Sequence, residues 1–283
     1  MFIVGFLFAL ASTLTEACGK TVTKFNFNRT NVAPTQLVSI NFGVMALTVA
    51  VFVIVTDAVI PTLTLVLLLS LGAIVVLSIA SNLYEFRGVK EVDLAFQEPL
   101  VNSRPVLASL LAFVIFPSER EWPLLVGFFL ALFVVLWSLD LPNLDKQKRI
   151  GVLAASKGIL LKAGLPVLFG IALEYSSAEY IALVRVVGVF IVVTIFKSTG
   201  LRDVSRLALL LGVVAGVIHG VGAVVGLYAI DALGVARAMA LLFLGPALRY
   251  LFSYIFLKET VAPRAVISSV LLSGIAVFTV LIN

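Results

Sequence analysis

The chain has 283 residues, of which 61% are hydrophobic and only 12% are charged. Soluble domains are about 45–50% apolar and about 25% charged, so this composition excludes a sizeable soluble domain. The single cysteine, Cys18, excludes a fold held by disulfides, and the high aliphatic content excludes a disordered chain. The net charge of +5 is divided among many loops, so we expect no nucleic acid partner.

Apolar runs long enough to cross a bilayer follow one another along the whole chain. A membrane helix needs about 20 predominantly apolar residues. Ten such runs lie at 2–19, 35–56, 62–84, 94–115, 122–139, 158–175, 178–196, 206–230, 237–257 and 264–282. The sequence therefore predicts an all-α integral membrane protein with ten transmembrane helices, located in the plasma membrane.

The predicted helices fall into two halves of similar pattern. Residues 1–139 hold the first five helices, 158–283 hold the second five, and the polar segment 140–157 is predicted to link them. In both halves the fourth helix carries a proline, Pro105 or Pro246, and a glycine-containing apolar helix follows it. Because five is an odd number, the second half must enter the membrane from the opposite side. Inverted repeats of this kind build alternating-access carriers.

The two halves are also similar at the ends of their corresponding helices. The third and eighth helices end in 84–89 and 228–233, which both begin with tyrosine. The fourth and ninth end in 116–119 and 256–259, which both begin with phenylalanine and end with glutamate. This pattern resembles the drug/metabolite transporter superfamily, in particular its EamA-like ten-helix branch, over the whole chain. The resemblance implies two inverted five-helix repeats and a secondary carrier of small polar metabolites, often an exporter of amino acids or related compounds.

The first predicted helix also resembles a helix of a second transporter family. Its residues are spaced as in the first helix of the small multidrug resistance transporters, a branch of the same superfamily, at Ser12, Glu16, Gly19, Lys24 and Phe25. This resemblance implies that Glu16 binds a proton or a cationic substrate. Lys20 departs from the family pattern, and it lies one helical turn from Glu16, so an interfacial ion pair is the alternative.

Lysine and arginine are unequally distributed between the two predicted faces of the membrane. Fifteen of the 20 fall in predicted loops on one face, among them Lys20, Lys24 and Lys162, whereas Arg120 and Arg237 fall on the other. Because cytoplasmic loops are rich in these residues, the charge pattern predicts that both termini lie outside. The family resemblance implies instead that both lie inside.

The densest polar stretch within a predicted helix surrounds Pro99 and Pro105. Prolines interrupt helical hydrogen bonding, and broken helices are where carriers place binding sites. Because ionisable groups are costly at bilayer depth, we interpret Glu98, Asn102 and Arg104 as substrate-binding residues. The alternative is an ion pair with another helix that stabilises the fold.

Two further arginines lie in the middle of predicted helices, Arg185 in the seventh and Arg249 in the ninth. A guanidinium binds a carboxylate or phosphate through two parallel hydrogen bonds, so these arginines favour a substrate with an anionic group, such as an amino acid. The alternative is that they neutralise Glu16, Glu98 or Glu174.

His219 and Tyr250 complete the candidate substrate site. His219 is the only histidine and is either a proton relay or a hydrogen-bonding residue in a contact between helices. It lies in a helix where Gly212, Gly216 and Gly220 recur at every fourth position, a spacing that predicts a close helix crossing.

These features predict a secondary active transporter of a small polar metabolite, an amino acid or related compound, that works as a proton-coupled exporter with Glu16 as the coupling group. We expect no enzyme activity and no cofactor, and one histidine with one cysteine gives no metal site. The expected partners are the substrate, protons and the lipid bilayer, with the protein as a monomer or homodimer. Three alternatives remain: an exporter of cationic drugs or quaternary amines exchanged for protons at Glu16, an uncoupled channel or uniporter, and a non-transporting membrane scaffold.

Overall fold

The computed structural model describes residues 2–138, 146–196, 203–260 and 262–281, and these residues form helices and no strands. The first half contains α1 (Phe2–Arg29), α2 (Pro34–Val55), α3 (Leu65–Glu91), α4 (Leu94–Val101), α5 (Ser103–Ile115) and α6 (Trp122–Ser138). The second half contains α7 (Lys146–Ala163), α8 (Leu165–Leu173), α9 (Ala178–Phe196), α10 (Arg206–Leu233), α11 (Val235–Leu241), α12 (Gly245–Phe252) and α13 (Pro263–Leu281).

Each of the ten predicted apolar runs coincides with helix in the described part of the chain. Seven helical segments are long and apolar enough to cross a membrane, which indicates a membrane protein. The other apolar helices, Ser103–Ile115, Trp122–Ser138 and Pro263–Thr279, are shorter than that limit. Ten crossings therefore stay a prediction.

Three predicted helices are broken rather than continuous. The fourth is divided at Asn102 between α4 and α5, and the sixth at Gly164 between α7 and α8. The ninth passes from α11 through the 3-10 turn Leu242–Leu244 to α12 and then to a π-helical turn, Ser253–Leu257. Pro105, Pro166 and Pro246 lie just after the breaks, where the missing proline N–H does not cost a helical hydrogen bond.

Two helices extend beyond the apolar runs that predict them. Helix α1 continues to Arg29, so Lys20 and Lys24 lie within it and are buried, and their assignment to a loop is wrong. The ammonium of Lys24 donates to the backbone carbonyls of Val89 and Val92, both at 2.9 Å, and so satisfies the end of α3. Lys20 and Lys24 are tolerated inside the bundle because each has partners there.

Helix α7 also extends beyond the apolar run that predicts it. The polar segment 140–157 predicted as a linker is helical from Lys146 onward, and Lys162, predicted to lie in a loop, is within the helix. Helix α7 lies against α3, where a Cβ on Gly158 would lie only 2.9 Å from the carbonyl oxygen of Ser81. This close packing extends the helix through a sequence that is polar on average.

The predicted glycine face of α10 is confirmed as a close helix contact. A Cβ on Gly212, Gly216 or Gly220 would lie 2.7–2.8 Å from a side-chain carbon of α2. At Gly216 the nearest atoms are Val44 Cβ at 2.7 Å and the backbone oxygen of Asn41 at 3.0 Å. The opposite side of α10 is also tightly packed, because α1 lies against it.

The main helix contacts between the two halves are symmetric. Each of the following contacts of a first-half helix with a second-half helix has an equivalent in which the corresponding helices have exchanged halves. Helix α1 packs against α10, and the corresponding segment α7–α8 packs against α3. Helix α2 packs against α9, and α6 packs against α13, so each of these contacts its own counterpart. The broken segments do the same, since α5 contacts α11 and α4 contacts α12.

Two glutamates join the broken segments of opposite halves. The Glu119 carboxylate accepts hydrogen bonds from the backbone N–H groups of Val235 at 2.8 Å and Ala236 at 2.5 Å, at the start of α11. The Glu259 carboxylate accepts one from the N–H of Leu94 at 3.3 Å, at the start of α4. A carboxylate at a helix N-terminus satisfies N–H groups that have no partner within the helix.

The close crossing of α10 and α2 predicts opposite effects for two glycine substitutions. Gly216→Ala puts a Cβ against Val44 and the Asn41 backbone, so we expect the free energy of unfolding to fall by about 1–3 kcal/mol. Gly72→Ala in α3 meets no atom within 4 Å, so helix propensity should leave stability unchanged or raised by about 0.5–1 kcal/mol. Unfolding of the purified protein in detergent measures both, and equal effects would contradict the described packing.

Candidate functional site

A cavity of about 190 Å³ lies between the two halves of the chain. Helices α1, α2, α3 and α5 line it from the first half, and α7 to α11 line it from the second. The charged lining residues are Glu16, Lys20, Glu85, Arg104, Lys162 and Arg185. The neutral polar lining residues include Ser12, Thr23, Asn41, Asn82 and His219.

Helix α1 contributes a continuous polar face to the cavity. Ser12, Glu16, Lys20 and Thr23 follow one another at intervals of three or four residues, and all four line the cavity. With 3.6 residues per turn, this spacing places them along one side of the helix. The wide polar face explains why the helix remains inside the bundle beyond its apolar run.

Five of the charged residues form a connected series of ion pairs, which we call the ion chain: Arg104, Glu16, Lys20, Glu85 and Lys162. Glu16 Oε2 lies 3.0 Å from Arg104 Nη2, and Glu16 Oε1 lies 3.0 Å from Lys20 Nζ. The same Lys20 nitrogen lies 3.0 Å from Glu85 Oε1, and the other oxygen of Glu85 is paired with Lys162. The ion chain thus connects α5, α1 and α3 of the first half with α7 of the second.

The charged lining of the cavity is unbalanced. Among the residues whose side chains are described, it holds four cationic side chains and two carboxylates. Both carboxylates are already engaged within the ion chain. Excess charge away from water is costly, so the cavity favours negative charge in whatever it binds.

Arg185 is the cavity cation that stands apart from the ion chain. Its Nε donates a hydrogen bond to Ser78 Oγ at 3.0 Å, and its guanidinium carbon lies 5.4 Å from the centroid of the Phe169 ring. No carboxylate of the described residues is within ion-pairing distance of it. The aromatic contact and the hydroxyl hold the side chain in place while leaving its charge without a counterion.

Two neutral polar groups of the lining also lack protein partners within the described part of the chain. Neither the side-chain oxygen nor the nitrogen of Asn41 makes a hydrogen bond, and the same is true of the Thr23 hydroxyl. Both residues are buried. Buried polar groups are usually hydrogen-bonded, so unsatisfied groups facing a cavity indicate a place where a ligand or water completes them.

Four predicted site residues line the cavity: Glu16, Arg104, Arg185 and His219. The predicted alternative of an ion pair between Glu16 and Lys20 is also present, because Glu16 contacts both Lys20 and Arg104. His219 lies over Gly19 of α1, where a Cβ would be 2.5 Å from its ring, so it packs between helices as well as facing the cavity.

Of the four other predicted residues, three have described side chains, and none of these three lines the cavity. Arg249 Nη2 donates to Asn102 Oδ1 at 3.1 Å, and both side chains are buried beside α4 and α5. Tyr250 is buried in a small cluster with Ala265. The backbone of Glu98 is in α4, but its side chain lies outside the residues whose side chains are described.

Lys20, Glu85 and Lys162 were not predicted as site residues, because charges were taken to mark where helices end. A usable signal was present. Glu16 and Lys20 are four residues apart, Glu85 lies three residues before Gly88, and Lys162 lies four residues after Gly158; both glycines lie in close helix contacts. Asn41 offered no comparable signal. Its role depends on which face of α2 is turned to the cavity.

Comparisons with known proteins inform the fold alone. No protein-family model and no curated protein matches the chain. Among solved structures that match, one described only as "Crystal structure of protein" has a TM-score of 0.67 and 16% sequence identity, over 100% of this chain and 98% of that chain. The whole helical arrangement therefore occurs in a protein of very different sequence.

The ion chain predicts a strong effect of removing its inner carboxylate. Glu85→Gln leaves Lys20 and Lys162 in the bundle without that counterion, so we expect a loss of about 3–5 kcal/mol in the free energy of unfolding. The double variant Glu85→Gln with Lys162→Met should recover part of the loss. Detergent unfolding measures each variant.

The matched control is Glu121→Gln, which removes the carboxylate of the partly exposed pair with Arg237. Pairs near water contribute about 0–1 kcal/mol, so this variant should have a small effect. Similar losses for Glu85→Gln and Glu121→Gln would contradict the described ion chain.

Proposed function

We propose that the protein is a secondary active transporter of a small polar metabolite, a multi-pass protein of the plasma membrane that works by alternating access. The observation that carries this proposal is the cavity, because charged residues of both halves line it within helices long and apolar enough to cross a membrane. Intramembrane ionisable residues usually mark a substrate or ion pathway.

A ten-helix inverted repeat of the drug/metabolite transporter type is the architecture that we propose for it. The symmetric helix contacts between the two halves support this arrangement. The reciprocal capping by Glu119 and Glu259 supports it as well, since each glutamate follows the fourth helix of its half and binds the start of the corresponding helix in the other half. In such carriers the substrate site lies near the midplane between the repeats.

Movement of one half against the other would act on the ion chain. Glu85 belongs to the first half and Lys162 to the second, so their ion pair spans the boundary that must open and close. An anionic group of the substrate competes with Glu85 for Lys162. Substrate binding is thereby linked to the contact that joins the halves, which is what a carrier requires for its two states to respond to a ligand.

Glu16 is the residue that we propose for proton coupling. One oxygen of its carboxylate forms an ion pair with Lys20, and the other forms an ion pair with Arg104. Protonation of Glu16 removes the negative charge from both contacts and leaves these cations available to an anionic substrate. Proton and substrate would then move together, whereas the sequence predicts a proton-coupled exporter.

The arrangement of charges disfavours two of the alternatives. An exporter of cationic drugs needs an available carboxylate, but Glu16 and Glu85 are both engaged by cations of the protein. A scaffold that keeps charges only as structural pairs would give Arg185 a counterion, and the described residues provide none. An uncoupled channel is distinguished by its kinetics.

Uptake into proteoliposomes tests the proposal. When the outside is more acidic than the lumen, we expect the proteoliposomes to accumulate labelled metabolites from a panel of aspartate, glutamine and succinate. The rate of uptake should saturate with concentration, and the accumulation should exceed that of protein-free liposomes. Glu16→Gln should remove the response to the pH gradient while leaving downhill exchange. Glu174→Gln, at an exposed glutamate outside the cavity, is the matched control and should behave as the unaltered protein.

Two results would contradict the proposal. Flux that rises linearly with concentration and never accumulates would indicate a channel. An unchanged pH response in Glu16→Gln would exclude Glu16 as the coupling group.

A further inference from the structure

Arg185 is the cation of the cavity that a ligand can engage without separating an ion pair. It lines the cavity, and its Nε donates to Ser78 Oγ at 3.0 Å. Within the described part of the chain no residue accepts a hydrogen bond from its two terminal nitrogens. Each cation of the ion chain, in contrast, already has a carboxylate partner. A ligand with a single anionic group therefore has its position at Arg185.

The geometry of Arg185 suits a carboxylate. The two terminal nitrogens of a guanidinium form a planar fork that matches the two oxygens of a carboxylate, which a lysine does not. The guanidinium carbon lies 5.4 Å from the centroid of the Phe169 ring, and this contact restrains the side chain. Little side-chain freedom is therefore lost when a carboxylate binds.

Asn41 offers a second contact, which is neutral. Its side chain is fully buried, and neither atom of its amide has a partner among the described residues. Leaving such a group unpaired costs free energy, which a ligand recovers when it bonds to the amide. An amide both donates and accepts hydrogen bonds, so it suits a hydroxyl or carbonyl group of a ligand.

Asn41 and Arg185 can serve the same ligand because they lie on adjacent helices. Both residues line the cavity, Asn41 from α2 and Arg185 from α9. These helices pack directly against each other, and a Cβ on Gly43 of α2 would lie 3.0 Å from the ring of Phe190 of α9.

The rest of the cavity indicates a small organic ligand. Most of its lining residues are apolar, among them Phe42, Met45 and Phe169, and an apolar lining favours the carbon body of an organic acid over an inorganic anion. Pockets for drug-sized molecules occupy about 300–1,000 Å³, whereas this cavity has about 190 Å³. It therefore suits an acid of a few carbon atoms.

The described lining offers no open partner to an ammonium group. Glu16 and Glu85 are its carboxylates, and both oxygens of each are engaged by cations of the protein. An ammonium would thus bring a further positive charge close to these cations without a carboxylate to bind it, which is costly away from water. A hydroxyl or carbonyl in the place of the ammonium carries no such cost.

We propose that the cavity binds a small monocarboxylate with a neutral polar group in place of an amine, a hydroxy acid or keto acid, with its carboxylate on Arg185 and its neutral group at Asn41. This inference rests on the proposed function and specifies the substrate class of the same site. It departs from the amino acid that the sequence predicts, because the zwitterion lacks a partner for its ammonium in the described lining.

Binding to the purified protein in detergent tests the ligand class without requiring transport. Lactate and leucate are the hydroxy analogues of alanine and leucine, so within each pair a hydroxyl replaces the ammonium. Lactamide and the amide of leucic acid keep the hydroxyl and lose the negative charge. We expect the better-bound hydroxy acid to have a calorimetric dissociation constant at least about 10-fold lower than its matching amino acid and its matching amide.

Three results would overturn the proposal. They are equal or tighter binding of the matching amino acid, equal or tighter binding of the matching amide, and the absence of binding by both hydroxy acids. The buffer contains chloride, so occupation of Arg185 by an inorganic anion alone would give the third result.

Failure of this inference is distinct from failure of the proposed function. If neither hydroxy acid binds while another metabolite accumulates in proteoliposomes, the substrate class is wrong and the transporter stands. If a hydroxy acid binds but is never transported, the substrate class stands for the cavity and the transporter is wrong.

Variants of Arg185 test the position of the carboxylate. Arg185→Gln removes the charge and the fork, so it should weaken binding of the better-bound hydroxy acid about 10- to 100-fold. Arg185→Lys keeps the charge without the fork and should be intermediate. The control Arg206→Gln, at an exposed arginine of α10 outside the cavity, should bind as the unaltered protein. Equal binding by Arg185→Gln and Arg206→Gln would remove Arg185 from the site.

Asn41→Leu tests the position of the neutral group. Propionate and isocaproate are lactate and leucate without the hydroxyl, so the variant should weaken the better-bound hydroxy acid several-fold and leave its counterpart without the hydroxyl unchanged. Replacing an unsatisfied buried amide with an apolar side chain of similar size should leave the melting temperature of the ligand-free protein unchanged or higher. Equal effects on the two acids would show that Asn41 does not contact the neutral group.

Discussion

The ion chain is the interaction on which the rest of the bundle depends. Two carboxylates, Glu16 and Glu85, hold three cations inside helices that are otherwise apolar enough to lie in a bilayer. Buried charges remain in such surroundings only when they are paired. The positions of α1, α3, α5 and α7 are therefore tied to one another by electrostatics as well as by packing, and the cavity lies where these helices meet.

The fold could be anticipated from the sequence because hydrophobic length and glycine spacing are local properties. Gly212, Gly216 and Gly220 predict a tight crossing from their spacing alone, and it is present between α10 and α2. The site was predicted only in part. Glu16, Arg104 and Arg185 stand out as charges within apolar runs, whereas Lys20 and Lys162 read as loop residues. Their burial depends on partners distant in sequence, which periodicity does not reveal.

The helices are broken at Asn102, Gly164 and Leu242–Leu244, and Leu242 together with Leu165 and Pro166, just after the second break, lines the cavity. Interrupted helices are tolerated at membrane depth when neighbouring helices satisfy the freed backbone groups. At the starts of two of these broken helices, α11 and α4, Glu119 and Glu259 accept hydrogen bonds from terminal N–H groups, each from the opposite half. These two glutamates thus satisfy backbone N–H groups and also connect the two halves of the chain on either side of the site.

Counterflow in proteoliposomes tests most directly whether this cavity belongs to a carrier. Vesicles are loaded with an unlabelled compound that the protein accumulates and are diluted into a trace of the same compound with label, without any ion gradient. An alternating-access carrier predicts a transient accumulation of label above equilibrium. Arg185→Gln should reduce this accumulation, and the control Arg206→Gln, at an exposed arginine of α10 outside the cavity, should not. Equilibration of label without overshoot, at the same rate in loaded and empty vesicles, would contradict the account.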